Sequence, residues 1–233
     1  MRDQDLERVR CLPLFSTMDD DAFDRLAPIS YLQQFPAGVH MITEGDSADF
    51  LHVVVEGSVE LYATGNGRET TVAIVQPVTA FILAAVLKDV VYLMSARTLE
   101  SSRILMIPAG LIRDTMETDT AFCQAMVREL ARGFRTMVKT VKNQKLRTAA
   151  ERLANYLLVI HQQQGASGQI DLPFEKRLLA SYLGITPENL SRAFKTLETS
   201  GVRNSRTKIF IEDDAALRKL AQPTALIDTP EEW

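Results

Sequence analysis

The sequence is poor in the residues that build covalent scaffolds and metal clusters. Its 233 residues hold two cysteines, Cys11 and Cys123, and three histidines, His40, His52 and His161. Thiols so far apart in a chain expected to be intracellular argue against a structural disulfide, and the absence of any C-x-x-C pair argues against a zinc ribbon or covalent heme attachment. No apolar run approaches the roughly 20 residues that span a bilayer, so no membrane partner is expected. The opening MRDQDLERVR is too charged for a signal peptide, and a cytoplasmic protein is the expectation. Enzyme signatures are missing as well: there is no P-loop, no H-E-x-x-H, no nucleophile elbow and no GxGxxG between strand and helix. Cys123 has no predicted base beside it and is read as a packing residue. These absences point away from an enzyme and toward a binding protein.

Excess positive charge is absent too, since the net charge is −4. The charge is uneven, however. Lys145 to Ala221 holds 12 Lys or Arg against 8 Asp or Glu, while the tail from Gln222 carries Asp228, Glu231 and Glu232. A weakly basic C-terminal segment behind an acidic N-terminal one suits a site-specific nucleic-acid binder with few, local phosphate contacts.

That basic segment contains RLLASYLGITPENLSRAFKTLETSGV, Arg177 to Val202. Leu178, Leu179 and Leu183 share one helical face, Gly184 marks a turn, and Thr186 stands as N-cap with Pro187 at the first helical position. A second helix from Pro187 to about Thr199 would bury Leu190, Phe194 and Leu197. It would turn Glu188, Asn189, Ser191, Arg192 and Lys195 outward. The spacing is that of a helix-turn-helix whose second helix meets base edges. Arg pairs with guanine, Glu accepts from a cytosine amino group, and Ser donates or accepts, which together read a short half-site. The residues after Gly201, VRNSRTKIFIED, form two β-prone pieces around a polar turn, a wing with Arg203, Arg206 and Lys208 as possible phosphate contacts.

The run ITPENLSRAFKTLETSG resembles the recognition element of the CRP/FNR superfamily of bacterial transcription regulators. Glu188, Ser191 and Arg192 are similar to the E-x-x-S-R readers of its FNR and DNR branches. The resemblance implies a TTGAT-type half-site in an inverted repeat, with Arg192 on the guanine, Glu188 on the opposing strand and Ser191 at the outer thymine. It also implies double-stranded DNA, a second copy of the chain and RNA polymerase as partners. The DNA-contacting set is then Thr186, Glu188, Asn189, Ser191, Arg192, Lys195 and Arg206.

Further N-terminal, Asp3 to Cys11 and Met18 to Leu26 read as short helices, the second capped by Ser16 or Thr17. The segments YLQQF, VHMIT, DFLHVVV, SVELYAT, TTVAIVQ, VVYLMSA and SSRILMIP follow as short strands between turn residues, which predicts a double-sheet jelly roll. The stretch FPAGVHMITEGDSADFLHVVVEGSVELY is similar to the first half of a cyclic-nucleotide-binding fold, with Gly38, Gly45 and Gly57 at its turns. From near Pro108 a long helical stretch carries Phe122, Met126, Leu130, Phe134, Met137 and Val141, a seam for a second copy of the chain. Arg128, Glu129, Arg132, Arg135 and Lys139 fall off that stripe, and Gly133 allows close approach. The fold class is thus α+β: a β-roll sensor over residues 1–117, a dimerisation helix and hinge over 118–146, a winged helix-turn-helix over 147–221, and a tail over 222–233. The tail lacks periodicity and is expected to fray or lie across the surface.

Nucleotide-binding relatives hold the phosphate with a G-E-[LI] turn and an Arg-Ser or Arg-Thr pair. Here the matching positions read Phe81-Ile82-Leu83-Ala84-Ala85 and Val90-Val91. A phosphate against such a wall costs several kcal/mol, which excludes cAMP as the expected effector. Iron-sulfur sensing of the FNR type needs four cysteines and is excluded as well. Phe81, Leu83, Val90, Tyr92 and Met94 form the expected effector pocket, suited to a flat apolar ligand or to none. Heme b fits such a lining, with His40 or His52 as axial ligand. The resemblance of RTAAERLANYLL to the DNR and NnrR branch then implies a nitric-oxide-responsive activator of denitrification genes. Two other readings stay open: a regulator without effector whose pocket is collapsed, and a protein-binding sensor that does not contact DNA.

Overall fold

The computed structural model describes residues 3–205 and 208–229, and the chain divides into two units between Gly133 and Phe134. The first unit opens with α1 (Asp3–Arg10) and α2 (Asp20–Leu26). Asp19, rather than Ser16 or Thr17, caps α2, its carboxylate accepting the Ala22 amide at 3.2 Å. A charged acceptor at this position also meets the positive end of the helix dipole.

Strands β1 (Tyr31–Phe35), β2 (His40–Ile42), β3 (Phe50–Glu56), β4 (Val59–Gly65), β5 (Arg68–Val75) and β6 (Thr79–Phe81) follow. Helix α3 (Leu83–Lys88), β7 (Ser95–Thr98) and β8 (Ser102–Pro108) complete the roll. They build two antiparallel four-stranded sheets, β1-β8-β3-β6 and β2-β7-β4-β5, as the jelly-roll reading expects. Leu51, Val53, Leu105 and Ile107 share one face of the first sheet, Val59, Leu61 and Ala96 share one face of the second, and all are buried. Gly57 makes this closure possible. Its φ is +81°, and an added Cβ would stand 2.7 Å from the Ser101 carbonyl oxygen and 2.8 Å from the Ser102 Cα.

The expected strand VVYLMSA is only half present. Residues 90–94 are irregular, with a single bridge between Ser47 and Val91, and β7 begins at Ser95. The cause is local: the Tyr92 backbone exchanges hydrogen bonds with the Gly45-Asp46 turn, and its hydroxyl donates to the Phe50 carbonyl at 2.9 Å. These bonds take the place of a strand ladder.

The long helical stretch is two helices, α4 (Ala109–Thr118) and α5 (Thr120–Leu146). Asp119 separates them in an extended conformation. Its carboxylate accepts the Phe122 amide at 2.9 Å, capping α5, and the Asp19 amide at 2.8 Å, tying α5 to α2.

The second unit contains the rest of α5, α6 (Ala149–Gln163), β9 (Gln169–Asp171), α7 (Lys176–Tyr182) and α8 (Pro187–Glu198). It continues through β10 (Val202–Ser205), β11 (Lys208–Ile211), α9 (Asp214–Ala221) and α10 (Ala225–Asp228). Thr148 and Glu151 form a capping box at the start of α6. The three-stranded sheet β10-β11-β9 is the wing. Leu153, Leu157, Leu179, Leu197, Ile209 and Leu217 form the separate core of this unit. The tail does not fray over residues 224–229: α10 forms, and Asp228 is paired with Arg147. No helix among the described residues is long and apolar enough to cross a membrane.

Candidate functional site

Helix α8 is strongly two-faced. Leu190, Ala193, Phe194 and Leu197 are buried, while Thr186, Glu188, Asn189, Ser191, Arg192 and Lys195 are all exposed. The buried four recur at steps of three and four, which fixes the rotation of the helix and therefore the direction of the polar side chains. The Thr186 hydroxyl accepts the Asn189 amide at 3.3 Å, and Pro187 occupies the first turn. Gly184 makes the preceding turn at φ +64°, and the Ile185 amide reaches back to the Ala180 carbonyl at 3.0 Å.

On the exposed face the partners are few and local. Ser191 donates to the Pro187 carbonyl at 3.0 Å, and Arg192 lies 3.4 Å from the Asn189 carboxamide oxygen. The Thr186 hydroxyl, a backbone hydrogen bond and the nearby Arg192 hold the Glu188 carboxyl below its ordinary range. Glu188 is therefore ionised and acceptor-only at neutral pH, the state a cytosine amino group requires. Arg206 lies outside the described residues.

A groove beside this face was not foreseen from the sequence. It runs between α7 and α8 and is lined by Lys176, Arg177, Ser191, Phe194, Lys195 and Asn204. Lys176 sits 5.3 Å from the centroid of the Phe194 ring and donates to Asn204 at 2.9 Å. The available signal was the pair Lys176-Arg177 at a helix start, directly before the apolar residues of α7. In the wing, Arg203 is engaged by Glu212 at 2.7 Å and stacks on Phe210, whereas Lys208 is exposed.

The expected dimer seam needs correction at its N-terminal end. Phe122 and Met126 are fully buried in the core of their own β-roll, where Phe122 stacks on Phe15 with ring centroids 6.0 Å apart. Ala125 and Glu129 share that face. Helix α5 thus has two apolar stripes, and the exposed one comprises Val127 (55%), Leu130 (40%), Phe134 (70%), Met137 (46%) and Val141 (46%). These alternate at three and four residues, a heptad pattern that keeps Leu130, Phe134, Met137 and Val141 of the expected seam and has Val127 in place of Phe122 and Met126. Glu129, expected on the solvated side, turns inward instead. It accepts the Ala80 amide at 3.2 Å and pairs with Arg132 at 2.5 and 2.8 Å.

The expected pocket residues are partly brought together. Phe81, Leu83 and Tyr92 are buried and Met94 is half-buried, but Val90 is exposed because residues 90–94 leave the sheet. Val90 therefore does not line the interior. Helix α3 begins after Ile82, held at φ +58°. The only cation of residues 81–94, Lys88, is exposed.

The two histidines differ sharply. His40 is exposed, and its Nε2 is hydrogen-bonded to the Tyr62 hydroxyl. His52 is buried in β3 opposite Phe81, stacked on that ring at 5.4 Å, with Phe50 and Tyr92 against its edges. Burial pushes its pKa down to about 4, and its Nδ1 is buried without a hydrogen-bond partner. Cys11 is exposed and Cys123 half-buried on α5. No group of three or more potential metal ligands gathers among the described residues.

Against known families, residues 32–119 match the cyclic nucleotide-binding domain and residues 151–220 the Crp-like helix-turn-helix domain. The chain is 24% identical over 223 residues to the transcriptional activator protein FnrA of Stutzerimonas stutzeri, covering 91% of this chain and 88% of the relative. It is 27% identical over 199 residues to the transcriptional activator protein FnrL of Cereibacter sphaeroides, covering 79% and 77%. Among solved structures, FixK2 from Bradyrhizobium japonicum shares the fold with a TM-score of 0.71 at 21% identity, over 84% of this chain and all of that one.

Proposed function

The chain belongs to the CRP/FNR family of transcription regulators, and from that premise we propose that it acts as a homodimer reading an inverted repeat of TTGAT-type half-sites. The observation that carries this reading is the exposed set Glu188, Ser191 and Arg192 on a helix whose opposite face is fixed in the core. Arg192 takes the guanine through a bidentate contact, Glu188 accepts from a base amino group on the opposing strand, and Ser191 meets the outer thymine. Thr186, Asn189 and Lys195 support these contacts from α8 and the residue before it, and Arg206 is proposed as a further DNA contact. Residues 1–117 act as sensor, 118–146 as dimerisation helix and hinge, 147–221 as reading head and 222–233 as tail. The stripe Val127, Leu130, Phe134, Met137 and Val141 joins the two copies, because an inverted repeat needs a two-fold partner. Relatives named as activators support a positive role beside RNA polymerase, in the cytoplasm where the DNA lies.

The test is fluorescence anisotropy on a TTGAT repeat and a scrambled duplex. Arg192→Ala should cost about 1–3 kcal/mol per half-site on the specific duplex and relax preference at the guanine. An equal loss on both duplexes would remove the base-reading role.

The sensor's effector is apolar, and cAMP is not its ligand. Phe81, Leu83 and Tyr92 are buried where relatives clamp a phosphate, Lys88 is exposed, and Arg113 is already engaged by the Val86 carbonyl and Asp89. Repacking of Phe81 to Leu87 reaches α5 through Glu129, which holds the Ala80 amide beside Phe81. Filling the interior then shifts the population of α5 arrangements and with it the presentation of α8.

A second reading, in which the effector is heme b responding to nitric oxide and the targets are denitrification genes, is favoured by one observation. The neutral, buried imidazole of His52 has an unpartnered nitrogen, as an axial ligand requires, whereas the His40 nitrogen is engaged by Tyr62. Bound heme would supply the iron that binds the gas. Hemin titration followed by the Soret band should give stoichiometric binding that His52→Leu abolishes and His40→Leu leaves intact. Unchanged binding in His52→Leu would exclude this ligand. Selective DNA binding without any added ligand would favour a regulator with a collapsed pocket.

A further inference from the structure

We infer that the C-terminal segment 224–229 is a strap that closes the elbow between α5 and α6 and holds the reading head to the end of the long helix. The elbow is short: α5 ends at Leu146 and α6 begins at Ala149. Its central side chain, Arg147, is 7% exposed and forms two parallel 2.6 Å hydrogen bonds to the carboxylate of Asp228, which is 17% exposed. A paired, largely buried guanidinium and carboxylate are held in one geometry and little weakened by salt. Arg147 also donates to Asn143 on α5 at 3.1 Å, so one side chain links the helix before the elbow to the tail.

The path of the tail serves this contact. Gln222 ends α9 in a left-handed conformation at φ +46°, turning the chain, and Pro223 follows. Asp228, at the end of α10, accepts the amide of Thr224, the residue before that helix, at 2.7 Å, which fixes the carboxylate. Lys139, two turns before the elbow, donates to the Thr229 carbonyl at 2.7 Å. The strap thus touches α5 at Lys139 and the elbow at Arg147, on either side of Asn143. On the head side, Asn155 of α6 donates to the Ala221 carbonyl at 2.6 Å, anchoring the end of α9 from which the strap departs. Elbow, α6 and α9 become one mechanical piece.

This inference does not rest on the DNA reading, and its test needs no DNA. Amide hydrogen exchange of the full-length protein is compared with that of Asp228→Asn and of a chain ending at Gln222. Both variants should speed exchange at amides 144–149 by at least about 10-fold, while amides of α7 and α8 keep their protection. Unchanged exchange at the elbow in both variants would overturn the strap. Equal acceleration throughout α6 to α9 would overturn it as well, since the segment would then stabilise the whole head and not the elbow.

Discussion

Asp228 makes a definite prediction about pH. Burial opposes its ionisation, but the Arg147 hydrogen bonds and the Thr224 amide hold the carboxyl below its ordinary value of 3.8. A carboxyl with a depressed folded pKa adds stability that is fully present above the unfolded value and is lost as pH falls through the folded one. Elbow protection should therefore be constant from pH 7 to pH 5 and decline only below about pH 4. Loss of protection between pH 7 and 5 would assign the effect to another group. Gly201 makes a second prediction. Its φ is +74°, and an added Cβ would stand 2.5 Å from the Asp213 Cβ, where the start of α9 closes against the wing. Gly201→Ala should lower stability by about 1–3 kcal/mol, read as a fall in the denaturant midpoint at unchanged m. The exposed face of α8 was legible in the sequence because helical spacing, a cap and a turn glycine all agree there. The pairing of Asp228 with Arg147 was not, because 81 positions separate them and the tail has no periodicity of its own.

At the scale of elements, α5 carries the most separable claim. Phe122→Ala removes a ring from the β-roll core and should cost about 3–5 kcal/mol of stability while the protein remains dimeric when folded. Phe134→Glu should leave the fold intact and convert the protein to a monomer in sedimentation, since that side chain is 70% exposed on one copy. The reverse pattern would return the seam to Phe122. Spacing alone could not separate the two stripes. Phe122, Met126, Leu130 and Phe134 also recur at helical steps, and only the β-roll packed on the first turns of α5 shows which stripe is already covered. Strand limits failed for a related reason at residues 90–94: Val90, Val91 and Tyr92 are β-prone, yet the Gly45-Asp46 turn captures the Tyr92 backbone. Tertiary contacts override local propensity in both places.

At the scale of the whole molecule, the charge pattern and the two cores describe a chain with separate tasks. The C-terminal unit has its own core and a modest surplus of cations, so the proposed DNA reading rests on a few well-placed contacts rather than on general attraction to phosphate. In the first unit Lys88 of α3 is exposed, Arg113 is engaged by the Val86 carbonyl and Asp89, and the buried His52 stands among Phe50, Phe81 and Tyr92. The succession of a β-rich N-terminal domain, a long helix and a C-terminal helix-turn-helix was readable from turn residues and periodicity. The identity of the effector was not, because it depends on which side chains converge and not on their order. The central claim is that α8 reads a half-site. Its most direct test is anaerobic fluorescence anisotropy on a TTGAT-N4-ATCAA duplex and a scrambled control, with ligand-free protein, hemin-treated protein and the latter with nitric oxide. The account predicts at least ~1000-fold preference for the repeat in one or more of these states. A dimeric protein that binds both duplexes equally in all three would contradict it.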